Sequence, residues 1–244
     1  MIPEKTRLFL PLLLLLLAGS VTSQGEQAEA KSPEKKMPLW GEASLSQWEF
    51  VLIHPTVDTA SVWSIENGVV RCEGKPLGYM RTKKSFKDYA LHLEWRWTEK
   101  PGNSGVLLHS RGATVCSKAS LFPECVEAQL KSGNAGDVVV MYGARVAEMS
   151  GDYREGTPFL SIPKREPSSE KTLQEWNAYE ILCMEDTVIL RVNGVVQNIV
   201  TGATPTEGSI CLQSEGGVVE FRNAHLRPLT KKDKRLRRQL MAGQ

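Results

Sequence analysis

Between Tyr89 and Trp97 the chain alternates: Leu91, Leu93, Trp95 and Trp97 fall on one side, His92, Glu94 and Arg96 on the other. Successive side chains of a strand point to opposite faces, so a period of two predicts a strand with one apolar and one polar face. Asn67-Gly68 lies between two short apolar runs in Trp63-Ser-Ile-Glu-Asn-Gly-Val-Val-Arg-Cys72, and Asn193-Gly194 does the same in Thr187-Val-Ile-Leu-Arg-Val-Asn-Gly-Val-Val196. Each pair is a hairpin signal. Gly208 to Gln213 and Val218 to Leu226 add two strand-like runs, separated by Glu215-Gly216-Gly217. Long helical periodicity is absent between Leu39 and Leu229. Many short strands with regular turn signals predict an all-β sandwich, a large jelly roll forming a single domain over residues 39–229. Past it, in the tail 230–244, Leu236 and Leu240 lie four apart, which suits a short, frayed helix.

Three segments carry rows of polar side chains. His92, Glu94 and Arg96 line the first. After the turn Pro101-Gly-Asn-Ser-Gly105 comes Val106-Leu-Leu-His-Ser-Arg111, with His109 and Arg111 on one face. Then Val126-Glu-Ala-Gln-Leu-Lys131 puts Glu127, Gln129 and Lys131 on one side and Val126, Ala128 and Leu130 on the other. If neighbouring strands pair, Glu94, Arg96, His109, Glu127, Gln129 and Lys131 form one polar surface. A solvated outer sheet face also alternates. This mixture of carboxylates, imidazole, amide and guanidinium nevertheless suits a polyhydroxylated ligand and proton transfer, although it names no reaction. Trp95 and Trp97 belong to the apolar face. Trp40, Trp48, Trp63 and Trp176 are core residues or sugar platforms.

The N-terminus places this unit in a compartment. Lys5 and Arg7 precede an apolar run from Leu8 to Gly19, and small residues follow through Ser23. That is the form of a secretory signal peptide over residues 1–23, too short to span a bilayer comfortably. Residues 24–38 are rich in Glu, Lys, Ala and Ser and read as a flexible linker. No later segment is apolar enough to be transmembrane. Thirty Lys+Arg against 28 Asp+Glu give a net charge of only +2, too weak for a dedicated nucleic-acid binder. The segment Lys231–Gln244 holds six basic residues and one acid, so the body is slightly acidic.

The five cysteines fit an oxidising compartment. Cys116 and Cys125 close a short loop around Pro123, where a disulfide is one expectation and two thiols the other. Cys183 and Cys211 could pair or stay buried thiols, and Cys72 is the candidate unpaired residue. Four scattered histidines and no CxxC spacing give no structural zinc site.

Several segments in order carry a resemblance: Asn103-Ser-Gly-Val-Leu-Leu-His109, Cys125-Val-Glu-Ala-Gln-Leu-Lys-Ser-Gly-Asn-Ala-Gly-Asp137, Glu175-Trp-Asn-Ala-Tyr-Glu-Ile181, Val192-Asn-Gly194, and Ile210-Cys-Leu-Gln-Ser-Glu-Gly-Gly-Val-Val-Glu-Phe-Arg-Asn223 followed by Pro228-Leu229. Together they resemble the 3-keto-disaccharide hydrolase domain, formerly DUF1080, over roughly residues 39 to 229. The resemblance implies a concanavalin A-like lectin/glucanase jelly roll with its site on the concave sheet. It also implies a carbohydrate ligand oxidised to a ketone at sugar C3, and export in a bacterium, to the periplasm or outside the cell.

The chemistry such a ketone needs can be reasoned on its own. A C3 ketone acidifies the proton on C2. A base removes it, the C1 oxygen leaves by elimination, and water adds to the enone. This requires a base near C2, a donor or cation near the C3 oxygen, and an acid near the leaving oxygen. On this reading Glu127 and His109 are the base and acid partners, and Arg96 and Lys131 stabilise the enolate. Glu94, Asn103, Gln129 and Asp137 hold hydroxyls or a metal, with Gln213 and Arg222 reaching in from later strands. Asn134-Ala-Gly-Asp137 is oxygen-rich enough for Ca2+ and is equally an ordinary turn.

Three other readings stay open. Glu94 and Glu127 could instead flank C1 as an ordinary glycosidase pair. The domain could be a lectin-like module without turnover. A third role is surface attachment through the basic tail. If residues 1–23 are a signal peptide, intact-mass analysis of the exported protein shows cleavage near residues 20–24. A mature chain still beginning at Met1 overturns that expectation.

Overall fold

Both Asn-Gly pairs form the tight turns expected of them. Asn67 and Gly68 have φ of 49° and 75°, and Asn193 and Gly194 have 49° and 88°. Positive φ at both central residues is the turn whose twist matches a two-residue hairpin, and Gly adopts it at no steric cost. The computed structural model describes residues 29–112, 122–149 and 158–243.

Among these residues two antiparallel sheets form. The first contains β1 (Met37–Pro38), β3 (Trp63–Glu66), β4 (Val69–Cys72), β6 (Tyr89–Trp97), β11 (Asn177–Met184), β12 (Thr187–Val192), β13 (Val195–Val200) and β15 (Val219–Arg227). Its order is β13-β12-β11-β6-β15-β4-β3, with β1 paired to β15. The second contains β2 (Trp48–Leu52), β5 (Gly78–Thr82), β7 (Gly105–Arg111), β8 (Glu124–Gln129), β9 (Val138–Met141), β10 (Phe159–Ile162) and β14 (Ser209–Ser214). Its order is β10-β9-β8-β7-β14-β5-β2. The fold is the jelly-roll sandwich expected from the alternation.

The core lies between the sheets. Leu91, Leu93, Trp95 and Trp97 of β6 meet Val106 and Leu108 of β7 and Val126 and Ala128 of β8, all in one buried cluster. Each such aliphatic or aromatic side chain stabilises by about 1.5–3 kcal/mol when fully buried. Trp40, Trp48 and Trp63 belong to the same cluster, so they are core residues rather than sugar platforms.

The connection from β6 to β7 crosses from one sheet to the other. β6 pairs with β11 and β15, while β7 pairs with β8 and β14. The polar rows of β6 and β8 therefore point out of opposite sides of the sandwich. This corrects the expectation of one shared polar surface. Alternation was read correctly along each strand, but neighbours in sequence are not neighbours in the sheet.

The two ends are more ordered than their composition suggests. Ala30 is buried, Lys31 N donates to Ser85 O at 3.3 Å, and Met37 and Pro38 pair with Leu226 and His225. The basic tail is a docked helix, α1 (Lys231–Ala242), rather than a frayed one. Leu229, Leu236 and Leu240 pack on Ala90, Leu182, Met184, Ile189 and Ile199, covering part of the first sheet's outward face. Thr230 and Asp233 form a capping box, and Arg227 grips Asp233 at 2.7 and 3.1 Å.

Cys72, Cys125, Cys183 and Cys211 are free and buried. Cys116 lies outside the described residues, and with it the expected Cys116–Cys125 bridge, while Cys125 itself is buried on the second sheet. Its thiol sits among Leu107, Phe122, Met141 and Cys211, where burial pushes its pKa well up. No helix among the described residues is long and apolar enough to cross a membrane.

Burial pushes the Asp233 carboxyl up, but hydrogen bonds from Arg227 and Thr230 outweigh it and hold the pKa at about 2. A depressed carboxylate stabilises above its unfolded pKa of about 3.9 and loses that contribution as pH falls toward the folded value. Asp233→Ala should therefore loosen α1 by about 1–2 kcal/mol at pH 7, a typical capping cost. Hydrogen exchange of the 231–242 amides should rise selectively. The difference from wild type should shrink between pH 4 and pH 2.

Candidate functional site

The outward face of the second sheet is ordered in rows set by strand register. One row runs Gln213, Gly105, Gln129 and then Asp137. The next runs Cys211, Leu107, Glu127, Val139 and Ser161. A third runs Cys125, Met141 and Phe159. Adjacent strands lie about 4.8 Å apart and successive same-face rows about 6.8 Å apart. Glu127 thus stands where a polar row gives way to an apolar one.

Above these rows lies a cavity of about 340 Å3. Its polar lining includes Asn103, Glu127, Gln129, Lys131, Asp137 and Glu215, and its apolar lining includes Phe122, Val139, Met141 and Phe159. Larger hollows beside α1, about 710 Å3, and beside β1, about 630 Å3, also exist. Among the described residues, none that lines those two has a buried polar side-chain atom lacking a partner.

Glu127 is 1% exposed, and its Oε1 has no hydrogen-bond partner. Burial pushes its carboxyl well above the usual range, and the charge of Glu215 pushes it further. A carboxyl pushed up in this way holds its proton more tightly than an exposed one, which suits a proton donor. Across β7 stands Gln213, fully buried with both amide atoms unpartnered. Both side chains lean over Gly105. A methyl there would overlap Glu127 Oε1 and sit 2.7 Å from Gln213 Oε1. The missing side chain at this position is what lets the acid and the amide meet.

Glu215 lies just beyond β14. Asn103 Nδ2 donates to its Oε2 at 2.8 Å, and Asn103 N donates to Gly216 O at 2.7 Å, which ties the β6–β7 and β14–β15 connections together. Burial raises the Glu215 carboxyl, and Lys131 partly offsets this. The cleft therefore holds a buried carboxyl that burial pushes up, a second raised carboxyl facing Lys131, and the unpartnered amide oxygen of Asn103. That set can donate a proton, accept one and stabilise a nearby anion.

Of the residues expected from sequence, Glu127, Gln129, Lys131, Asn103 and Asp137 line this cavity, and Gln213 lies behind it against Gly105. His109 does not join them. A bulge between Leu108 and Arg111, with φ of +54° at His109, turns the imidazole into the interior. It packs edge-on against Tyr89, 5.5 Å between centroids, with Nδ1 3.1 Å from Pro205 O. Burial lowers its pKa to about 4, leaving it neutral and out of reach.

Glu94, Arg96 and Arg222 lie on the outward face of the first sheet, across the sandwich from Glu127. Glu94 accepts from Arg222 Nε at 2.6 Å and Asn223 Nδ2 at 2.7 Å, and Arg96 Nε donates to Glu220 at 2.7 Å. Both guanidiniums stack on Trp176, at 4.5 and 4.1 Å from the ring centroid. The core consumes the other face of β6 and β15, so these residues cannot turn toward the cleft. The expected Glu94–Glu127 carboxylate pair is excluded for the same reason.

Asp137 is already used as an acceptor, by Asn134 Nδ2 at 2.9 Å and Lys164 N at 2.8 Å, and Lys164 Nζ stands 3.8 Å away. Ca2+ needs six to eight oxygen ligands. No group of three or more His, Cys, Asp or Glu able to hold a metal gathers among the described residues. The Asn134–Asp137 turn is thus built as a turn.

Sequence reasoning passed over Glu215 and Phe159. Glu215 continues the alternation of Gln213 two positions on, which was the available signal. Phe159 had none beyond the short run Phe159-Leu-Ser-Ile162.

Residues 35–227 match the family model described as the 3-keto-alpha-glucoside-1,2-lyase-like domain. No curated protein matches the sequence. Two crystal structures from Parabacteroides distasonis ATCC 8503, designated glycosyl hydrolases, are similar in fold. One has a TM-score of 0.58 at 19% identity, covering 81% of this chain and 95% of the other. The second has 0.55 at 19%, covering 80% and 100%. LamAcat from Zobellia galactanivorans has 0.52 at 6% identity, covering 80% and 97%.

A carboxyl with a raised folded-state pKa keeps a proton that the unfolded chain loses above about pH 4.3, so its burial costs more stability as pH rises. Glu127→Gln removes that cost. Its melting temperature should exceed the wild type's by a few degrees at pH 7–8. The gap should close near pH 4. A less stable variant across this range would show that Glu127 is buried as a satisfied carboxylate.

Proposed function

The chain belongs to the 3-keto-alpha-glucoside-1,2-lyase-like domain family, and from that premise we propose that it cleaves glycosides already oxidised to a ketone at sugar C3. The observation that carries this reading is the buried Glu127, its carboxyl pushed up by burial, on the floor of a cleft that also holds Glu215 and Lys131. Elimination from a 3-keto-glycoside needs an acid, a base and an anion stabiliser, and these are the groups available.

In this mechanism Glu215 takes the C2 proton, and the electron pair of that bond becomes the enolate. Lys131 faces the developing charge on the C3 oxygen. The enolate then forms the C1–C2 double bond, the bond from C1 to the leaving oxygen breaks, and Glu127 gives that oxygen its proton. Addition of water returns a hydroxyl to C1 and a proton to C2, so the net reaction is hydrolysis. Asn103 and Gln129 offer hydrogen bonds to the hydroxyls. Relative to the sequence reading, Glu215 replaces His109 as partner, and Lys131 serves without Arg96. We place the activity in the periplasm or outside a bacterial cell, on the strength of the N-terminal segment.

The test is turnover of a panel of 3-keto-glycosides and their unoxidised parents. The parents should be nearly inert, and solvent deuterium should enter C2 of the product. Glu127→Gln and Glu215→Gln should each lower kcat by about 10²–10⁴-fold, the range for lost general acid–base catalysis. Rapid cleavage of an unoxidised glycoside with no exchange at C2 would overturn the elimination route. Binding of keto-glycosides without any turnover by the wild type would leave a lectin-like module.

A further inference from the structure

We propose that the leaving half of the substrate is a flat apolar group, an aryl aglycone, seated on Phe159, Met141 and Val139 rather than a second sugar. The inference rests on Glu127 being the acid that protonates the leaving oxygen, and goes beyond it by naming what that oxygen carries.

Phe159 is 60% exposed, against 42% for Leu173, 40% for Met241 and 39% for Val195, the other exposed large hydrophobic side chains among the described residues. It lies on the edge strand β10, lines the cleft and pairs directly with Met141. An aromatic ring left in water forgoes most of its burial energy, roughly 25 cal/mol per Å2 of apolar surface. The sandwich core does not use this ring, and the cleft does.

The rows divide the cleft into two halves with Glu127 between them. On one side lie Gln129, Asp137, Asn103, Glu215 and Lys131, all able to serve hydroxyls. On the other, Glu127 is followed across the sheet by Val139, and the next row is Cys125, Met141 and Phe159. A sugar laid on that second half would turn most of its hydroxyls toward a valine, a thioether and a phenyl ring, with Ser161 and Tyr142 as the polar side chains of that lining. Each buried hydroxyl left unpaired there weakens binding. An aromatic ring leaves no hydroxyl unpaired and gains offset or edge contact with Phe159 beyond its area burial. β10 stands two strands from β8, about 10 Å at the usual strand spacing. A leaving oxygen held at Glu127 thus puts one or two fused rings over Val139, Met141 and Phe159.

The experiment is calorimetric binding of unoxidised 2-naphthyl glucoside, methyl glucoside and a glucose disaccharide to the full mature chain, which needs no turnover. The naphthyl glucoside should bind at least 10-fold more tightly than either of the others. Phe159→Ala should weaken naphthyl binding by 5-fold or more, and Phe159→Tyr, which keeps the ring, should restore it. Equal or tighter binding of the disaccharide overturns the inference, as does unchanged naphthyl affinity in Phe159→Ala. The two readings fail separately. An enzyme that turns over keto-disaccharides yet shows no naphthyl preference keeps the function and loses the aryl subsite. Strong Phe159-dependent naphthyl binding without turnover of any keto-glycoside keeps the subsite and loses the function.

Discussion

Each sheet of the sandwich has two faces, and burial of the core consumes one of them. Leu91, Leu93, Trp95 and Trp97 are packed against Val106, Leu108, Val126 and Ala128. Because side chains alternate, this packing also fixes where every intervening residue points. Glu94 and Arg96 leave through one side of the molecule and Glu127 and Gln129 through the other. No local adjustment can unite them, since a one-residue slip of β6 would bring its charges into the core in place of two tryptophans. The location of any chemistry is therefore decided by the apolar residues.

The two outward faces have been treated differently by the fold. On the first sheet the charges are matched: Glu94 with Arg222, Arg96 and Arg71 with Glu220, and His92 with Glu180. Helix α1 covers much of what remains. Such partly exposed pairs contribute only about 0–1 kcal/mol each, but they give these outward-facing charges partners. On the second sheet Glu127, Gln213 and Asn103 keep buried polar atoms without partners. Each such atom costs about 1–3 kcal/mol. A fold retains a cost of this kind where a ligand can recover it, which separates a binding face from a merely charged one.

Much of the fold was legible because its signals are local. The Asn-Gly hairpins, the extent of β6 and the buried tryptophans follow from neighbours within a few residues. Strand pairing does not. The turn after Trp97 looks like a hairpin connection, yet it carries the chain across the core into the other sheet. Alternation also fails at His109, where one extra residue in β7 reverses the face, and nothing in Leu108-His-Ser-Arg111 announces a bulge. The tail misled through composition. Its basic residues suggested a solvated segment, whereas Leu236 and Leu240 are the anchor and Asp233 the cap. Within the site, Glu127, Gln129, Lys131 and Asn103 were legible because they sit on or beside one strand pair. Glu215 follows β14, which is far from β8 in sequence and is brought beside the site by its pairing with β7 and by the Asn103 hydrogen bonds.

The apolar row beside Glu127 has two consequences that cannot be separated. Val139 and Leu107 flank its carboxyl across the strands and deny it solvent, which is why its pKa is pushed up. The same surface, continued through Met141 to Phe159, is the more apolar part of the cleft, with Ser161 and Tyr142 as its polar side chains. A polar wall suited to a second sugar would bring donors or water to Glu127, stabilise its anion and draw the pKa back toward an ordinary carboxylate. Glu127 would then hold its proton less tightly and serve a leaving oxygen less well. In the proposed mechanism, acid strength and leaving-group preference are therefore set by one physical feature, the dryness of a single face of β8 and β9.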